Sequence, residues 1–537
     1  MKPATLIALR LAACAMRGRF VRSAREPATA QERVRRRILA AMARTAYGRA
    51  CGMHARMSYR AFADRVPVVD YEDLEPWIAR QVESREPILA PEPILVYEET
   101  SGSSGRRKRI PYTSRLLRSF NRAFVLWAAD LVLDGPRFRT GRAFFSISPA
   151  FREAATTPSG VPIGLADDMQ YLAPAVRRAV SGRLVVPPAQ SLCLGMEEYR
   201  LVLACRLLAA ADLEVVSVWS PTYLLALMNF VELHRDEVAT AVAAGRISVS
   251  GFTFPMQRRP AVRALLRESL VDWTGVWPEL RLLSCWTDGA SGPFAARLAT
   301  RFPGRMLQGK GLLATEAAIT VPLVHAKAPV PLVGDVFLEF ERVDGTIARL
   351  QDLELAEEAS LVVSQCGGLV RYRMHDRVRV DGRYGATPCL RFLGRDGVVS
   401  DLVGEKLHEV FVHGAMRRAL GDDAVAVLAP RKSRAGPGYA CLVDRSRFEP
   451  EIDAARLERE LSQGFQYHEA RLHGQLCAVH IILVPDLLRR MERLWLARGL
   501  KWGDIKQTAL LARVTAAEMV ALTGDAADAG MQAAESW

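Results

Sequence analysis

The sequence predicts a two-part α/β protein, in which a large layered domain is followed by a smaller α+β domain. Between 110 and 300, helical segments alternate with short apolar runs, which is typical of layered α/β domains. From 332 to 395 the pattern changes to short β-rich runs separated by Asp-Gly and Gly-Gly turns, which predict hairpins. After 396, strands and helices alternate over a shorter stretch. A chain of 537 residues, 50% hydrophobic and 24% charged, can bury a large core.

The charge balance favours an anionic partner but does not choose one. Lys and Arg number 72 against 59 Asp and Glu, which gives a formal net charge of +13 and a pI near 9.5. Because the Arg-rich stretch 1–45 lacks interleaved aromatic residues, nucleic-acid binding stays a minor alternative, and no nucleic-acid partner is expected. Nine cysteines without a CxxC pair argue against a disulfide framework and a cysteine zinc site.

The sequence predicts no membrane span. Its longest uncharged run, 215–231, is too short and too polar to cross a bilayer. The first twenty residues only loosely imitate a signal peptide, because Arg10 interrupts the apolar run and the basic residues follow that run instead of preceding it. A cytoplasmic location is therefore expected.

The N-terminal region is predicted to be helical and to lead into an extended segment. Residues 1–60 are rich in Arg and Ala and show helical periodicity. The next stretch, RVPVVDYEDLEPWI at 65–78, reads as extended, and Asp70 is placed to cap the turns that follow.

The sharpest motif is the run Thr-Ser-Gly-Ser-Ser-Gly-Arg-Arg-Lys at 100–108. Its glycines let the backbone turn and expose N–H groups, while the hydroxyls and the cation add further donors, a combination that cradles phosphate oxygens. It is not a Walker A loop, because the chain contains no GxxxxGK[ST]. A flexible Ser/Gly linker is the alternative. Two strand-like flanks favour the phosphate loop.

Three later clusters carry weaker signals. The GxGxxA run at 309–314 is not a dinucleotide fingerprint, because β-prone residues and not a helix follow it. The next pair, Thr315 and Glu316, suits a phosphate donor and a Mg²⁺ ligand, although a solvated pair is the simpler interpretation. Asp376 stands at the end of a predicted strand, where a carboxylate suits ribose hydroxyls. Arg395, in the fourth cluster Gly-Arg-Asp-Gly, reads alone as part of a turn.

Taken in order, these clusters resemble the adenylate-forming superfamily. The closer resemblance is to the plant auxin-responsive acyl-acid amido synthetases and their bacterial relatives. It is carried by FADRVPVVDYEDLEPWIAR before the phosphate loop, by GGLVRYRMHD and by FLGRDGVVSDLVGEKLHE. It extends from about residue 30 to 510. The set of motifs is far more specific than any one of them.

The resemblance implies a function for individual residues. ATP phosphates would be bound by the loop and its lysine, that is by Ser101, Gly102, Ser103, Ser104, Gly105 and Lys108. The adenine would be lined by Gly289, Ala290 and Ser291. Thr315 would touch the α-phosphate, Glu316 would hold Mg²⁺, Asp376 would bind the ribose and Arg395 would reach the ribose or phosphate near a hinge. The late segment LKWGDIKQTALL points to Lys506 as the catalytic lysine of the mobile domain.

The sequence also departs from the family pattern. Leu312 stands where an aromatic residue usually stacks on adenine, and His375 replaces the glycine before Asp376. Gln507 and Thr508 stand where a proline often follows the lysine, and the phosphate loop is one residue shorter than in the plant enzymes. None of these changes removes a charge that the chemistry needs.

The implied fold is a large N-terminal adenylation domain, 1–395, with a β-barrel-like subregion, and a small mobile α+β domain, 396–537. The implied reaction joins a carboxylic acid to AMP, using ATP and Mg²⁺, and then transfers the acyl group to an amine or amino acid. A thioester ligase that uses coenzyme A or a carrier thiol, and a non-catalytic relative that binds nucleotide or acid, stay open as alternatives. The acyl acid and the oligomeric state cannot be read from the sequence, although the segment around Trp219 and Tyr223 is a candidate for the acyl pocket.

Overall fold

The structure is a computed structural model that describes residues 3–99, 108–146, 155–165, 168–268, 271–395, 398–433, 436–445, 453–500 and 502–524. It divides into two compact units. The larger unit comprises Met1–Ser217, Phe230–Ser284 and Gly304–Phe392. The smaller unit comprises Val218–Asn229, Cys285–Pro303 and Leu393–Trp537. The predicted domain boundary at 396 stays a prediction.

Helices dominate residues 3–65, as the periodicity of residues 1–60 predicts. In chain order the α-helices are Pro3–Arg25, Pro27–Met42, Ala46–Ala50, Tyr59–Arg65, Tyr71–Glu83, Ser114–Asp134, Pro174–Ser181, Met196–Ala209, Pro221–Leu233, Arg235–Ala244, Val262–Arg267, Trp273–Val276, Gly292–Arg301, Glu409–Leu420, Ala454–Leu461, Phe465–Leu472, Leu487–Ala497 and Ala516–Thr523. Among the described residues, no helix is long and apolar enough to cross a membrane.

The stretch 65–78 is only partly extended. Its helix, Tyr71–Glu83, begins directly after Asp70, so the prediction of an extended segment is wrong beyond that residue. The cause is local, because the Asp73 carboxylate accepts a hydrogen bond from the Asp70 N–H at 2.9 Å and so satisfies a donor at the helix start. Pro76 lies inside the helix.

A small sheet contains the flanks of the phosphate loop. Its strand order is Arg109–Thr113, Ile94–Glu99, Pro162–Ile163 and Ala155–Thr156. The first two strands are antiparallel, with Glu99 opposite Arg109. Thr113 ends its strand and caps the next helix, because its hydroxyl accepts a hydrogen bond from Leu116 N–H.

A second sheet gives the larger unit its α/β character. Its strand order is Met306–Gly309, Leu282–Cys285, Val215–Ser217 and Ala143–Phe145, and the last three strands are parallel. Helices separate these strands along the chain, as the alternation between 110 and 300 predicts.

The β-rich region forms a five-stranded sheet. The strands lie in the order Ile347–Arg349, Phe337–Glu341, Glu358–Ser364, Tyr372–Tyr384 and Thr387–Arg395. Before it come two hairpins, Leu313–Ala314 with Ala317–Ala318 and Thr320–Val321 with Val330–Pro331, and elsewhere Arg246–Val249 pairs with Phe252–Pro255.

The N-terminal helices pack against the five-stranded sheet and share its core. Gln31 is buried there, and its side-chain amide donates to Val333 O and Val336 O while accepting from Leu338 N–H. A buried amide is tolerated in an apolar core only when its hydrogen bonds are made. This glutamine therefore links the helix Pro27–Met42 to the beginning of the strand Phe337–Glu341 and to the residues just before it.

The smaller unit has α+β character, as predicted. Its main sheet contains Ala426–Ser433, Gly436–Asp444 and His480–Val484, the first pair antiparallel and the second parallel. Helices Ala454–Leu461 and Phe465–Leu472 lie between the two parallel strands in sequence, as a parallel connection requires. A two-stranded ribbon, Val399–Ser400 with Leu407–His408, precedes the helix Glu409–Leu420.

Candidate functional site

The predicted phosphate loop connects two antiparallel strands, Ile94–Glu99 and Arg109–Thr113. The loop residues Ser101, Gly102, Ser103, Ser104 and Gly105 lie outside the described residues. Their lysine, Lys108, is described, and its Nζ lies 5.3 Å from the centroid of the Tyr71 ring. The phenol oxygen of Tyr71 accepts a hydrogen bond from Arg109 N–H at 2.9 Å. Tyr71 therefore orders the point where the loop rejoins its strand.

The pair Thr315 and Glu316 forms the two-residue turn of a short hairpin, because Leu313 pairs with Ala318 and Ala314 with Ala317. Two hydrogen bonds hold this turn from outside the hairpin. The Tyr112 hydroxyl donates to Thr315 O at 2.6 Å, and the Gln365 side-chain amide donates to Glu316 O at 3.3 Å.

Glu316 is 6% exposed as a residue, and no described side chain or backbone N–H donates to its carboxylate. Its carboxylate oxygens keep access to solvent, since neither is among the described buried atoms without a partner. Glu316 also lies near enough to the Tyr112 phenol for its charge to help raise the pKa of that phenol, although burial is the main cause.

Asp376 lies in the strand Tyr372–Tyr384 and is only 4% exposed. The strand bulges beside it, because Ser360 pairs with Arg377 whereas Val362 pairs with Arg373. Residues 374–376 therefore stand opposite one residue of the neighbouring strand. Such bulges often redirect a side chain next to a functional site.

Contacts join these predicted clusters within the larger unit. Tyr112 lies in the strand that closes the phosphate hairpin, and it bonds the Thr315–Glu316 turn. Gln365 bonds the same turn and lies at the start of the connection to the Asp376 strand. The larger unit thus connects the strand that follows Lys108 with the Thr315–Glu316 turn, and that turn with the start of the segment leading to the Asp376 strand.

A lysine that the sequence analysis passed over lies at the carboxyl ends of the α/β sheet. Lys310 Nζ donates to Ser217 Oγ at 2.7 Å and lies 5.9 Å from the centroid of the Trp127 ring. Trp127 in turn donates to the Gln308 side chain at 2.7 Å. Ligands of open α/β sheets bind outside the carboxyl ends of their strands. The signal was present in the sequence as a lysine directly after a strand, at Met306–Gly309.

In the smaller unit, Gly289, Ala290 and Ser291 form a single 3₁₀ turn, and the helix Gly292–Arg301 follows it. Ala290 lines a cavity that is open to solvent, together with Gln507 and Thr508. The predicted adenine segment and the residues that follow the predicted catalytic lysine thus face one cavity.

Lys506, which is exposed, lies among aromatic residues of the smaller unit. Its Nζ is 5.4 Å from the centroid of the Trp286 ring, and that ring lies 6.0 Å from the ring of Trp219. Tyr223 packs on Trp502 with ring centroids 4.1 Å apart. The lysine therefore lies beside the segment around Trp219 and Tyr223, the candidate for the acyl pocket.

Glu409 anchors the segment that follows Lys506. Its carboxylate accepts hydrogen bonds from the Thr508 hydroxyl at 2.5 Å and from Ala509 N–H at 2.9 Å. Burial raises the pKa of Glu409, and these two donors and the charge of Arg395 oppose the shift. Arg395, at the end of its strand, is therefore near Glu409 and belongs to the same unit as Lys506.

No group of three or more metal-ligating side chains occurs within the described parts of the chain. Glu316 is thus a single carboxylate, which suits a Mg²⁺ that takes its remaining ligands from phosphate and water.

Two family models match this chain. The model of the GH3 family N-terminal domain matches residues 16–307, more than half of the sequence, and the model of the GH3 family central domain matches residues 330–395. The chain belongs to the GH3 family.

Curated relatives carry the same family name. The putative indole-3-acetic acid-amido synthetase GH3.10 of Oryza sativa subsp. japonica is 26% identical over 419 residues, which covers 75% of this chain and 84% of the relative. The indole-3-acetic acid-amido synthetase GH3.4 of Arabidopsis thaliana is 24% identical over 428 residues, which covers 74% and 71%.

A solved structure has the same fold. The AtGH3.15 acyl acid amido synthetase in complex with 2,4-DB superposes with a TM-score of 0.79 at 19% identity, covering 96% of this chain and 95% of that one. The predicted fold class is therefore confirmed. The predicted function class, an ATP-dependent acid-amido ligase, is confirmed at the level of the GH3 family.

Proposed function

We propose that this GH3 chain activates a carboxylic acid as acyl-AMP and transfers the acyl group to an amine or amino acid. The supporting observation is Glu316, whose carboxylate accepts no hydrogen bond from the described residues and which lies in a turn bonded to the strand that closes the phosphate hairpin. A carboxylate is a poor electrophile, whereas acyl-AMP carries a good leaving group. The protein's task is then to position the reactants and to neutralise charge.

Lys108 and the loop residues Ser101–Gly105 bind the β- and γ-phosphates of ATP in this proposal. The assignment of the loop residues is supported by their sequence pattern and by the antiparallel strands on both sides of the loop. Thr315 touches the α-phosphate, and Asp376 holds the ribose hydroxyls. The adenine is lined by residues 289–291, and Arg395 reaches the ribose or phosphate.

Glu316 is the protein ligand for Mg²⁺. Bound there, the ion would neutralise charge on the phosphates during adenylation. The absence of a hydrogen-bond donor among the described residues supports this assignment, because it leaves the carboxylate oxygens open to a cation.

Lys506 stabilises the charge that develops on the α-phosphate when the acid attacks. Its placement in a small domain, 396–537, that moves between the two half-reactions lets it leave before the amine enters. Glu409 supports this role, since it anchors the residues directly after the lysine.

An aryl or indolyl acid is the substrate class to test first. Relatives are named for indole-3-acetic acid, and the solved neighbour is a complex with 2,4-DB. Trp219 and Trp286, packed beside Lys506, support an aromatic acid as the acyl substrate. A bacterial source and a cytoplasmic location belong to the same proposal.

The deciding experiment is ATP–pyrophosphate exchange with a panel of aryl, indolyl and aliphatic acids. We expect exchange with at least one acid. With that acid, ATP, Mg²⁺, an amino acid and coenzyme A present together, mass spectrometry should detect the amide and AMP. A dominant thioester would move the chain to the thioester ligases. If no acid supports exchange, the chain is a non-catalytic relative.

A further inference from the structure

The segment Val69–Tyr71 belongs to a sequence motif to which the proposed function assigns no role. It nevertheless contacts the strand Tyr372–Tyr384, here called the ribose strand because it contains Asp376. Val69 N–H donates to Arg371 O at 3.0 Å, and Arg373 N–H donates to Val69 O at 2.9 Å. Val69 thereby extends the sheet edge next to Tyr372 as a parallel bridge. These bonds fix the next residue, Asp70, beside the bulge that precedes Asp376.

Both carboxylate oxygens of Asp70 bind that strand. Oδ1 lies 2.7 Å from His375 Nε2, and Oδ2 accepts from Arg373 Nη1 at 2.7 Å. Arg373 is also held by Glu341, two strands away in the same sheet, through two further hydrogen bonds. His375, in contrast, has Asp70 as its acidic partner among the described residues.

The backbone at His375 is in the left-handed region, with φ of 58°. Non-glycine residues are uncommon in this region, although His is among the types enriched there. In the family pattern a glycine stands at this position, and glycine enters the left-handed region freely. The histidine thus adopts a conformation that glycine reaches at lower cost, and its bond to Asp70 is a side-chain contact that helps to hold it.

We propose that Asp70 is a positioning residue for the nucleotide: through His375 it holds the bulge of residues 374–376 and so fixes the carboxylate of Asp376 against the ribose. The inference rests on the proposed role of Asp376 in ATP binding. It gives a second function to the Asp of the Val-Asp-Tyr motif, which also stands at the N-cap of the helix Tyr71–Glu83.

The test is steady-state kinetics of pyrophosphate exchange on variants of the full chain. His375→Ala and Asp70→Ala should each raise the ATP KM about tenfold. In both variants residue 375 keeps its left-handed backbone conformation but loses the side-chain contact between positions 375 and 70. Their kcat should stay within about twofold, and the KM for the acid should not change. Asp70→Asn keeps an acceptor oxygen for His375 and should restore the ATP KM to within about threefold of wild type.

His375→Gly is the decisive variant. It removes the side chain but also the strain, so its ATP KM should stay within about threefold of wild type. Adding Asp70→Ala to His375→Gly should then change the ATP KM much less than Asp70→Ala does alone, because the coupling partner is gone. Glu341→Gln, which alters only the other partner of Arg373, is the matched control and should leave the ATP KM unchanged.

The failure of this inference is distinct from that of the proposed function. If Asp376→Ala raises the ATP KM while Asp70→Ala and His375→Ala do not, the inference is wrong and the ribose assignment stands. If Asp376→Ala has no effect, the ribose assignment fails first. Asp70→Ala could instead lower both kcat and the thermal midpoint. If neither Asp70→Asn nor the His375→Gly background relieves that loss, the role of Asp70 is purely structural and the proposal is overturned.

Discussion

Lys506 is the residue whose loss should separate the two half-reactions. Lys506→Ala should lower acyl-AMP formation by roughly 10²–10³, by analogy with a removed oxyanion donor. Conversion of supplied acyl-AMP and amine to amide should continue, because that step involves no attack on the α-phosphate. Pyrophosphate exchange measures the first step and amide formation from synthetic acyl-AMP the second.

A second surface lysine of the smaller unit provides the control. Lys432 lies exposed in the strand Ala426–Ser433, and Lys432→Ala should keep both half-reactions. Normal adenylation by Lys506→Ala would assign the role to another residue, with Lys501, outside the described residues, the nearest candidate.

The role of Glu316 should be measurable as the Mg²⁺ dependence of pyrophosphate exchange. Glu316→Gln keeps the size of the side chain but removes the charge that a Mg²⁺ ligand needs. We expect a lower kcat and a higher Mg²⁺ concentration for half-maximal exchange, while the ATP KM at saturating Mg²⁺ changes little. An unchanged Mg²⁺ dependence would contradict the ligand assignment.

At the scale of single elements, the turn before the ribose strand depends on glycine. Gly368 has φ of 120°, and a Cβ there would lie 2.8 Å from Leu89 O. Gly368→Ala therefore meets both backbone strain and a fixed carbonyl, and it should destabilise the protein by about 3 kcal/mol. Urea unfolding measures the change.

Gly345 separates the two causes. Its φ of 80° is also left-handed, but a Cβ would have nothing within 4 Å. Gly345→Ala should therefore cost only about 1 kcal/mol. Equal losses for the two variants would mean that the approach to Leu89 is unimportant.

The motif GGLVRYRMHD at 367–376 also contributes to a structural ion pair. Arg371 is buried, its Nε lies 3.0 Å from Glu339 Oε2, and its Nη1 donates to Ala63 O and Val66 O. The Tyr59 hydroxyl donates to the other oxygen of Glu339. Removing one partner of such a pair leaves a buried charge uncompensated, so this arginine of the Arg-Tyr-Arg motif supports the fold and not the chemistry.

At the scale of the whole molecule, acid stability should depend on one buried histidine. Burial lowers the pKa of His413 to about 4 from 6.5, helped by the charge of Arg417 and opposed by that of Asp422. Its Nε2 is buried with no described partner. Between pH 4 and 6.5 the unfolded chain binds more protons at this position than the folded chain.

The free energy of unfolding should therefore rise with pH across that window and reach its full value above it. His413→Gln, which cannot titrate, should flatten this rise by about 2–3 kcal/mol in urea unfolding followed by tryptophan fluorescence. His408→Gln is the matched control, because His408 is exposed. An identical pH profile in wild type and His413→Gln would refute the assignment.

The family and the fold class could be predicted because their signals are local. Hydrophobic period, turn residues and the order of short motifs are legible without contacts, and they identified the alternation at 110–300 and the hairpins after 332. The helix at Tyr71–Glu83 was missed beyond Asp70, since a capping bond outweighed the β-branched run before it.

The amino-acid sequence by itself determined which residues can supply charge, hydroxyls and backbone freedom, and in which order along the chain. Tertiary structure decided which of them meet. His375 and Asp70 are 305 residues apart, and nothing local shows that a histidine takes a glycine's backbone conformation because a distant carboxylate holds it. Likewise, Lys310 and Ser217 meet only because their strands belong to one sheet. Chemistry is carried by residue type, but contact depends on the folding of segments that are remote in sequence.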